Sequence, residues 1–246
     1  MKICWFIVFF TVSISSLTAQ VFDQQTIPKP EESYQFKKVN IDFKAGLAIP
    51  VGSFADANTL LSEERVGAAL TGIALGAELN VRPTDLVGFG LNIAGTSNPY
   101  NTSPYDFYAS NDSVFTGVSS QSYLNLKVLG VFSLGVATES LEADFKLMAG
   151  PMISRLPEQV LTWNYSGFTL TDTRSKSNSV GLCYGLGFDT RYYLGEFYLK
   201  TFADFTSSTV LHDVTYTATG IGRYGGETIT TKMNWITMGC GFGIRF

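Results

Sequence analysis

Residues 235–246 read WITMGCGFGIRF, an alternation in which Ile236, Met238, Cys240, Phe242, Ile244 and Phe246 are apolar while Thr237, Gly239, Gly241, Gly243 and Arg245 are small or polar. A period of two belongs to a β-strand with two unlike faces. Because the pattern runs to the final aromatic residue, the chain is expected to end inside a sheet.

Working back from that strand, the same pattern recurs until eight instances are found. Val39 to Ile49 sets Ile41, Phe43 and Leu47 against Asp42, Lys44 and Gly46. Ala69 to Val81 sets Ile73, Leu75 and Leu79 against Gly72, Gly76 and Glu78. Val87 to Ile93, Leu124 to Val128, Leu141 to Gly150, Val180 to Arg191 and Leu199 to Phe205 follow suit, although Leu129 and Val131 blur the end of the fourth. The connections alternate in length. Arg82 to Asp85, roughly Ser133 to Ser140, and the turn at Leu194 and Gly195 are short, and the intervening segments are much longer than ordinary hairpin loops. Short turns on one rim and long loops on the other are the mark of a transmembrane barrel.

The N-terminus supplies a compartment. Lys2, an apolar run from Ile3 to Ile14 and a small-residue segment ending at Ala19 read as a secretory signal peptide, too short to span a bilayer as a helix. Cleavage after Ala19 leaves Gln20 as the mature start. The stretch 20–37, with Pro28, Pro30, Glu31, Glu32 and three glutamines, reads as an extended periplasmic tether. The barrel is expected over 38–246.

Composition agrees with that class. Charged residues are 15%, while Gly (24), Phe (19) and Tyr (12) are abundant; soluble chains average about 25% charged. The net charge of -4 offers nothing to nucleic acid. Cys183 and Cys240 fall on opposite faces by parity, which excludes a disulfide between them.

With its eight alternating strands, alternating loop lengths and terminal aromatic, the chain resembles the small outer-membrane β-barrel proteins, the OmpA/OmpX-like and PorT-like or porin-family barrels, across Lys38 to Phe246. The resemblance implies an all-β, eight-stranded antiparallel up-and-down transmembrane barrel in the outer membrane of a Gram-negative type cell. It also implies that Phe246 forms part of the signal read by the barrel-assembly machinery. A soluble lipocalin-like barrel is the competing fold, and there the apolar face would point inward.

Three features favour the membrane form. About twelve glycines lie on the polar face, which suits a crowded lumen. The charges on that face number six of each sign: Lys44, Lys127, Lys146, Arg191, Lys200 and Arg245 against Asp42, Glu78, Glu142, Asp144, Asp189 and Asp204. An unpaired charge in such an interior costs several kcal/mol. Tyr192, Tyr193, Phe197 and Tyr198, near a short turn, read as an interfacial aromatic girdle.

Eight strands enclose a space just wide enough for side chains, so the twelve charges are expected to plug the lumen rather than line a channel. Function then falls to the long-loop rim, where Tyr100, Tyr105, Phe107, Tyr108, Trp163 and Tyr216 are the candidate contacts for a glycan or protein. In the last hairpin the alternation outlasts the membrane, from Val210 to Tyr216 and from Glu227 to Thr231. That length suggests a projecting β-ribbon whose open edge could add a partner strand. Outer-membrane lipid and the assembly machinery are the implied partners of a monomeric barrel. A PorT-like accessory role in a secretion machine is the alternative, and its partner would be a secretion-system protein.

A lipid A-modifying enzyme is the remaining class, resting on His212, Asp213, Ser207 and Ser208 alone. No catalytic centre is expected, and no cofactor or metal. Gly220, Gly222 and Gly225 spell GxGxxG, but they fall at a hairpin tip rather than between a strand and a helix.

Overall fold

The computed structural model describes residues 39–57, 67–84, 86–103, 105, 115–138, 140–165 and 168–246. The expected signal peptide and tether lie outside these residues, as do Phe107 and Tyr108.

Eleven strands are formed: β1 (Val39–Pro50), β2 (Gly72–Val81), β3 (Val87–Asn98), β4 (Phe115–Ser120), β5 (Tyr123–Ala137), β6 (Leu141–Leu156), β7 (Gln159–Tyr165), β8 (Phe168–Arg174), β9 (Ser177–Leu194), β10 (Phe197–Ala218) and β11 (Gly222–Arg245). Eight of them close a ring in the order β1-β2-β3-β5-β6-β9-β10-β11, each neighbour antiparallel, with β11 returning to β1. The fold is therefore an eight-stranded up-and-down barrel. The terminal alternation pairs Asn40 with Arg245 and Pro50 with Trp235 along the closing seam. Phe246 is stitched to Val39, its N–H donating to the Val39 carbonyl at 2.9 Å.

The short connections all fall on one rim, at residues 82–86, 138–140 and 195–196. Hydroxyls hold two of these turns: the N–H of Val87 donates to Thr84 Oγ1 at 3.0 Å, and that of Leu141 to Thr138 Oγ1 at 3.1 Å. Gly195 takes φ +75° in the tightest of them, a left-handed conformation that glycine adopts without a Cβ penalty.

On the opposite rim, β10 and β11 run on past the ring for 22 and 24 residues in all. The structure corrects the expected free ribbon. β8 pairs with the upper part of β10 at Tyr216–Arg174 and Ala218–Asp172, β7 pairs with β8, and β4 pairs with β7. The chain thus covers that edge of β10 with its own strand and builds a five-stranded sheet, β11-β10-β8-β7-β4, beyond the ring.

Sidedness changes along these two strands. From Leu199 to Phe205 on β10, and from Ile236 to Phe242 on β11, the outward residues are mainly apolar, while the inward positions include Lys200, Asp204 and Thr237. Beyond the Ser207–Asn234 pair the pattern inverts. The outward side then carries Thr209, Asp213, Thr230 and Lys232 with Leu211 as an exposed apolar exception, and Val210, Val214, Ile229 and Met233 are buried inside together with His212 and Thr231. Below that level the apolar surface faces out; above it the interior is mainly apolar, with His212 and Thr231 buried in it.

Glycines set the closing seam. Gly46 and Gly239 face each other across β1 and β11, and a Cβ on Gly46 would overlap the Met238 carbonyl. Overpacking of this kind costs about 1–3 kcal/mol. Gly46→Val is therefore expected to weaken the folded, heat-modifiable band in semi-native electrophoresis. Ala45→Val, one residue away on the outward face, is expected to leave that band intact.

Candidate functional site

Each ring strand sends alternate side chains inward, so the register decides which charges meet. Asp42 lies beside Glu78, Asp144 beside Asp189, and Arg191 beside Lys200. Like charges directly opposite on neighbouring strands repel. Neutralisation therefore comes partly from across the lumen. Lys200 Nζ lies 2.5 Å from Asp42, 2.6 Å from Asp189 and 3.2 Å from Glu78. Lys146 Nζ lies 2.8 Å from Asp189, 3.0 Å from Asp204 and 3.4 Å from Glu78. Lys44 joins Glu78 at 2.8 Å and Asp204 at 3.7 Å.

Closer to the short-turn rim, Arg191 reaches Glu142 and Asp144 with one guanidinium nitrogen. Its other terminal nitrogen lies 3.6 Å from Asp42 and Asp189 and 3.7 Å from Glu78. This side chain bridges the two groups of acids and is fully buried. The glycine-rich face now has a reason. Lys44 stands between Gly76 and Gly241, and Lys146 stands opposite Gly187, so the long stems lie over strands that offer no side chain in the way.

Three participants escaped the sequence reading. Arg82, in the expected turn, points inward and pairs with Glu142, and with Asp144 at 2.8 Å. Its parity with Glu78 and Asn80 was the available signal. Tyr193 and Tyr198, expected in an outer girdle, are buried and donate their hydroxyls to Glu142 and Asp42. Only Tyr192 and Phe197 of that group face out. Parity again separates the two pairs.

Two members of the expected charge set stand apart. Arg245 is half-buried at the rim, its guanidinium 3.9 Å from the centre of the Tyr193 ring. Lys127 is buried above the acids, with no carboxylate within ion-pair distance among the described residues. Its Nζ donates to Thr206 Oγ1 at 3.2 Å and lies 4.9 Å from the Trp235 ring centre. A cavity of about 20 Å³ lies beside it, lined by Asn92, Thr206 and Thr237 among others. That is room for roughly one water.

Over Lys127 the lumen is sealed by aromatic groups. Phe54, carried inward by the segment after β1, packs edge-on against Tyr123 and Trp235 with ring centres 5.0 and 5.2 Å apart. Tyr123 donates to the Gly67 carbonyl at 2.8 Å, and Trp235 Nε1 donates to Asn98 Oδ1 at 3.1 Å. Tyr100, expected at the surface, is buried in this cluster, 6.1 Å from the Tyr123 ring centre. Tyr105, Trp163 and Tyr216 are half-buried: the first two lie against Phe115, and Tyr216 donates to Glu227. Tyr105, Trp163 and Tyr216 thus keep part of their surface exposed, and Tyr100 does not.

Parity also disperses the residues considered for lipid A chemistry. His212 and Ser208 point inward, whereas Asp213 accepts from the outward Thr228 hydroxyl and Ser207 donates to Asn234. The Ser208 hydroxyl is bound to the Leu182 carbonyl. Cys183 is buried and Cys240 exposed, and both are free thiols.

No family model and no curated protein matches the chain. Among solved structures it is similar to Neisserial surface protein A (12% identity, 85% of this chain and 97% of that one, TM-score 0.47). It is similar also to a major outer membrane protein from Thermus thermophilus (12% identity, 85% and 99%, TM-score 0.47) and to Ail, the attachment invasion locus protein of Yersinia pestis (10% identity, 85% and 100%, TM-score 0.41).

The charged tier and the extension above it respond differently to substitution and to acid. Arg191→Leu leaves buried acids short of their shared cation, a change worth about 3–5 kcal/mol. Its unfolding midpoint in urea should fall sharply, whereas Tyr192→Leu on the outer wall should move it little. His212 lies above the polarity inversion, and burial pushes its pKa down to about 4, aided by Arg174 and opposed by the Ser177 backbone and Asp213. The unfolded chain, near the usual 6.5, then binds the extra proton between about pH 6.5 and about pH 4, so stability is full above this window and declines as pH falls through it. Limited proteolysis of the extension should accelerate on acidification in the native protein, and less so in His212→Leu.

Proposed function

We propose that the chain is an integral outer-membrane β-barrel protein, closed to diffusion, that holds a β-sheet outside the cell for interaction. The inversion of sidedness at Ser207–Asn234 carries this reading. One strand that exposes Phe205 outward below and Asp213 outward above must pass from an apolar to an aqueous surrounding. The apolar belt has the right height. On β6 it runs twelve residue steps from Leu141 to Ile153, and at ~3.3 Å per step and a tilt of ~40° this spans about 30 Å, the thickness of a bilayer's hydrocarbon core.

Two barriers support closure. The charged tier fills the lower lumen, and the Phe54–Tyr123–Trp235 cluster fills the upper. The ion pairs below and the ring packing above leave, among the described residues, a cavity of about 20 Å³ beside Lys127, room for roughly one water.

The interaction role rests on the far sheet. Phe168 and Ile221, at the tips of the β7–β8 and β10–β11 hairpins, are each 74% exposed, with Leu170 and Tyr224 also exposed nearby. β8 and β10 are paired, and Tyr224 donates to Asp172 of β8 at 2.7 Å, so these tips form one patch. Solvent-facing apolar groups gathered this way mark a contact surface.

Reconstituted into planar bilayers, the purified chain is expected to show no steady conductance of porin size; such conductance overturns the closed lumen. In whole cells, protease should cut near 219–221 without permeabilisation. Affinity purification in mild detergent should recover surface partners that are lost from a Phe168→Ser, Ile221→Ser double variant.

A further inference from the structure

We propose that the outer wall of the barrel carries a binding groove for the acylated phosphoglycolipid of the outer leaflet, with an acyl chain along the groove and a phosphate on Arg155. The inference rests on the membrane reading above and adds a ligand and a site to it.

A cavity of about 370 Å³ opens on the wall across β2, β3, β5 and β6. That falls within the roughly 300–1,000 Å³ usual for small-ligand sites. Two rows of outward residues build it. In the first, Leu75, Gly95, Leu126 and Ile153 lie side by side through the register; in the second, Ile73, Ser97, Leu124 and Arg155 do. The β3 positions make the trough. Phe89, Leu91 and Ile93 stand out from the same strand below, and then the side chain shrinks to Gly95 and Ser97 while both flanking strands keep leucine or isoleucine. A smooth belt needs no such depression.

The charge at its end selects the ligand. Arg155 sits at the upper margin of the apolar belt, just past Ile153. Its Nη2 donates to the neutral Gln121 Oε1 at 3.2 Å, and no carboxylate lies within ion-pair distance among the described residues. An outward cation at the level where head groups begin, with an apolar trough running down from it, is complementary to an anionic head on an apolar chain. A planar guanidinium suits phosphate, which it binds through paired N–H groups. The long-loop rim is the cell-exterior side in this orientation, which makes the outer-leaflet glycolipid the occupant.

Gly95 gives a clean test. A Cβ there meets only the Asn125 carbonyl oxygen at 3.8 Å, an ordinary contact, so Gly95→Leu fills the trough without disturbing the ring. The full chain, purified in mild detergent, is titrated by native mass spectrometry with lipid A, with dephosphorylated lipid A and with phosphatidylglycerol. The native protein is expected to prefer lipid A over both other lipids by about tenfold. Arg155→Gln should erase the preference for the phosphorylated form, and Gly95→Leu should weaken lipid A binding by a similar factor. Leu186→Ala, on the wall formed by β9, should change neither. Equal binding by native and variant chains, or phosphatidylglycerol bound as tightly as lipid A, overturns the proposal. So does a dimer that lipid A does not dissociate, because a second copy then covers the trough. If the chain stays soluble without detergent, the membrane reading falls as well; if it needs detergent and shows a heat-modifiable band but fails these comparisons, only the groove falls.

Discussion

Burying ionised groups in a cylinder with little room for water is the constraint on which the rest of this structure depends. Isolated, each charge carries a desolvation cost of several kcal/mol, and attraction offsets it only where geometry is good and hydrogen bonds complete the set. Arg191 meets the constraint by touching acids on three sides, and Lys146 and Lys200 by reaching three carboxylates each. Much else follows. Glycines opposite Lys44 and Lys146 exist because the stems must cross bare backbone. Tyr193 and Tyr198 point inward because carboxylate oxygens beyond the reach of cations still need donors.

That tier also explains why the interior changes character with height. Lys127 lies between the ion pairs and the aromatic cluster, sharing its charge with a hydroxyl and the face of Trp235. Above it the outward face of β10 and β11 turns mainly polar, Leu211 excepted, and the inward face packs Val210 and Met233, with Phe54 and Met152 in the same core and His212 buried above it. One sheet thus holds two opposite solutions to the same partitioning problem, joined at a single level.

The period of two made the ring legible in the sequence, because it depends only on local alternation. Eight strands, the short-turn rim and the outward apolar set are where parity places them, and eleven of the twelve expected lumenal charges are buried inside, Arg245 alone being half-buried at the rim. Arg82 continues the parity of Glu78 and Asn80 one residue past the end of β2, where strand and turn look alike in sequence. Tyr193 and Tyr198 have the composition of an interfacial girdle but the parity of the lumen. The far sheet was illegible for a different reason. β4, β7 and β8 are six or seven residues long, and the pairing of β8 with β10, which brings β7 and β4 with it, is a long-range choice that no local pattern records. Val210, His212 and Val214 did alternate as read, but the same alternation serves a ribbon in water or a wall around a core, and only the neighbours decide.

An extended sheet in water has edges, and edges invite unwanted pairing. β8 occupies the one on β10. Among the described residues, two remain: β4, and the part of β11 beyond its pairing with β1. Each is blunted in a different way. β4 is six residues long and bulged between Phe115 and Gly117, so it offers little regular ladder. The upper part of β11 carries Arg223, Glu227 and Lys232, charges that oppose a flat apolar partner. On the proposed interaction role, contact at this end falls to side chains at the hairpin tips rather than to backbone addition along a strand, because Phe168 and Ile221 are exposed there and the open edges beside them are blunted.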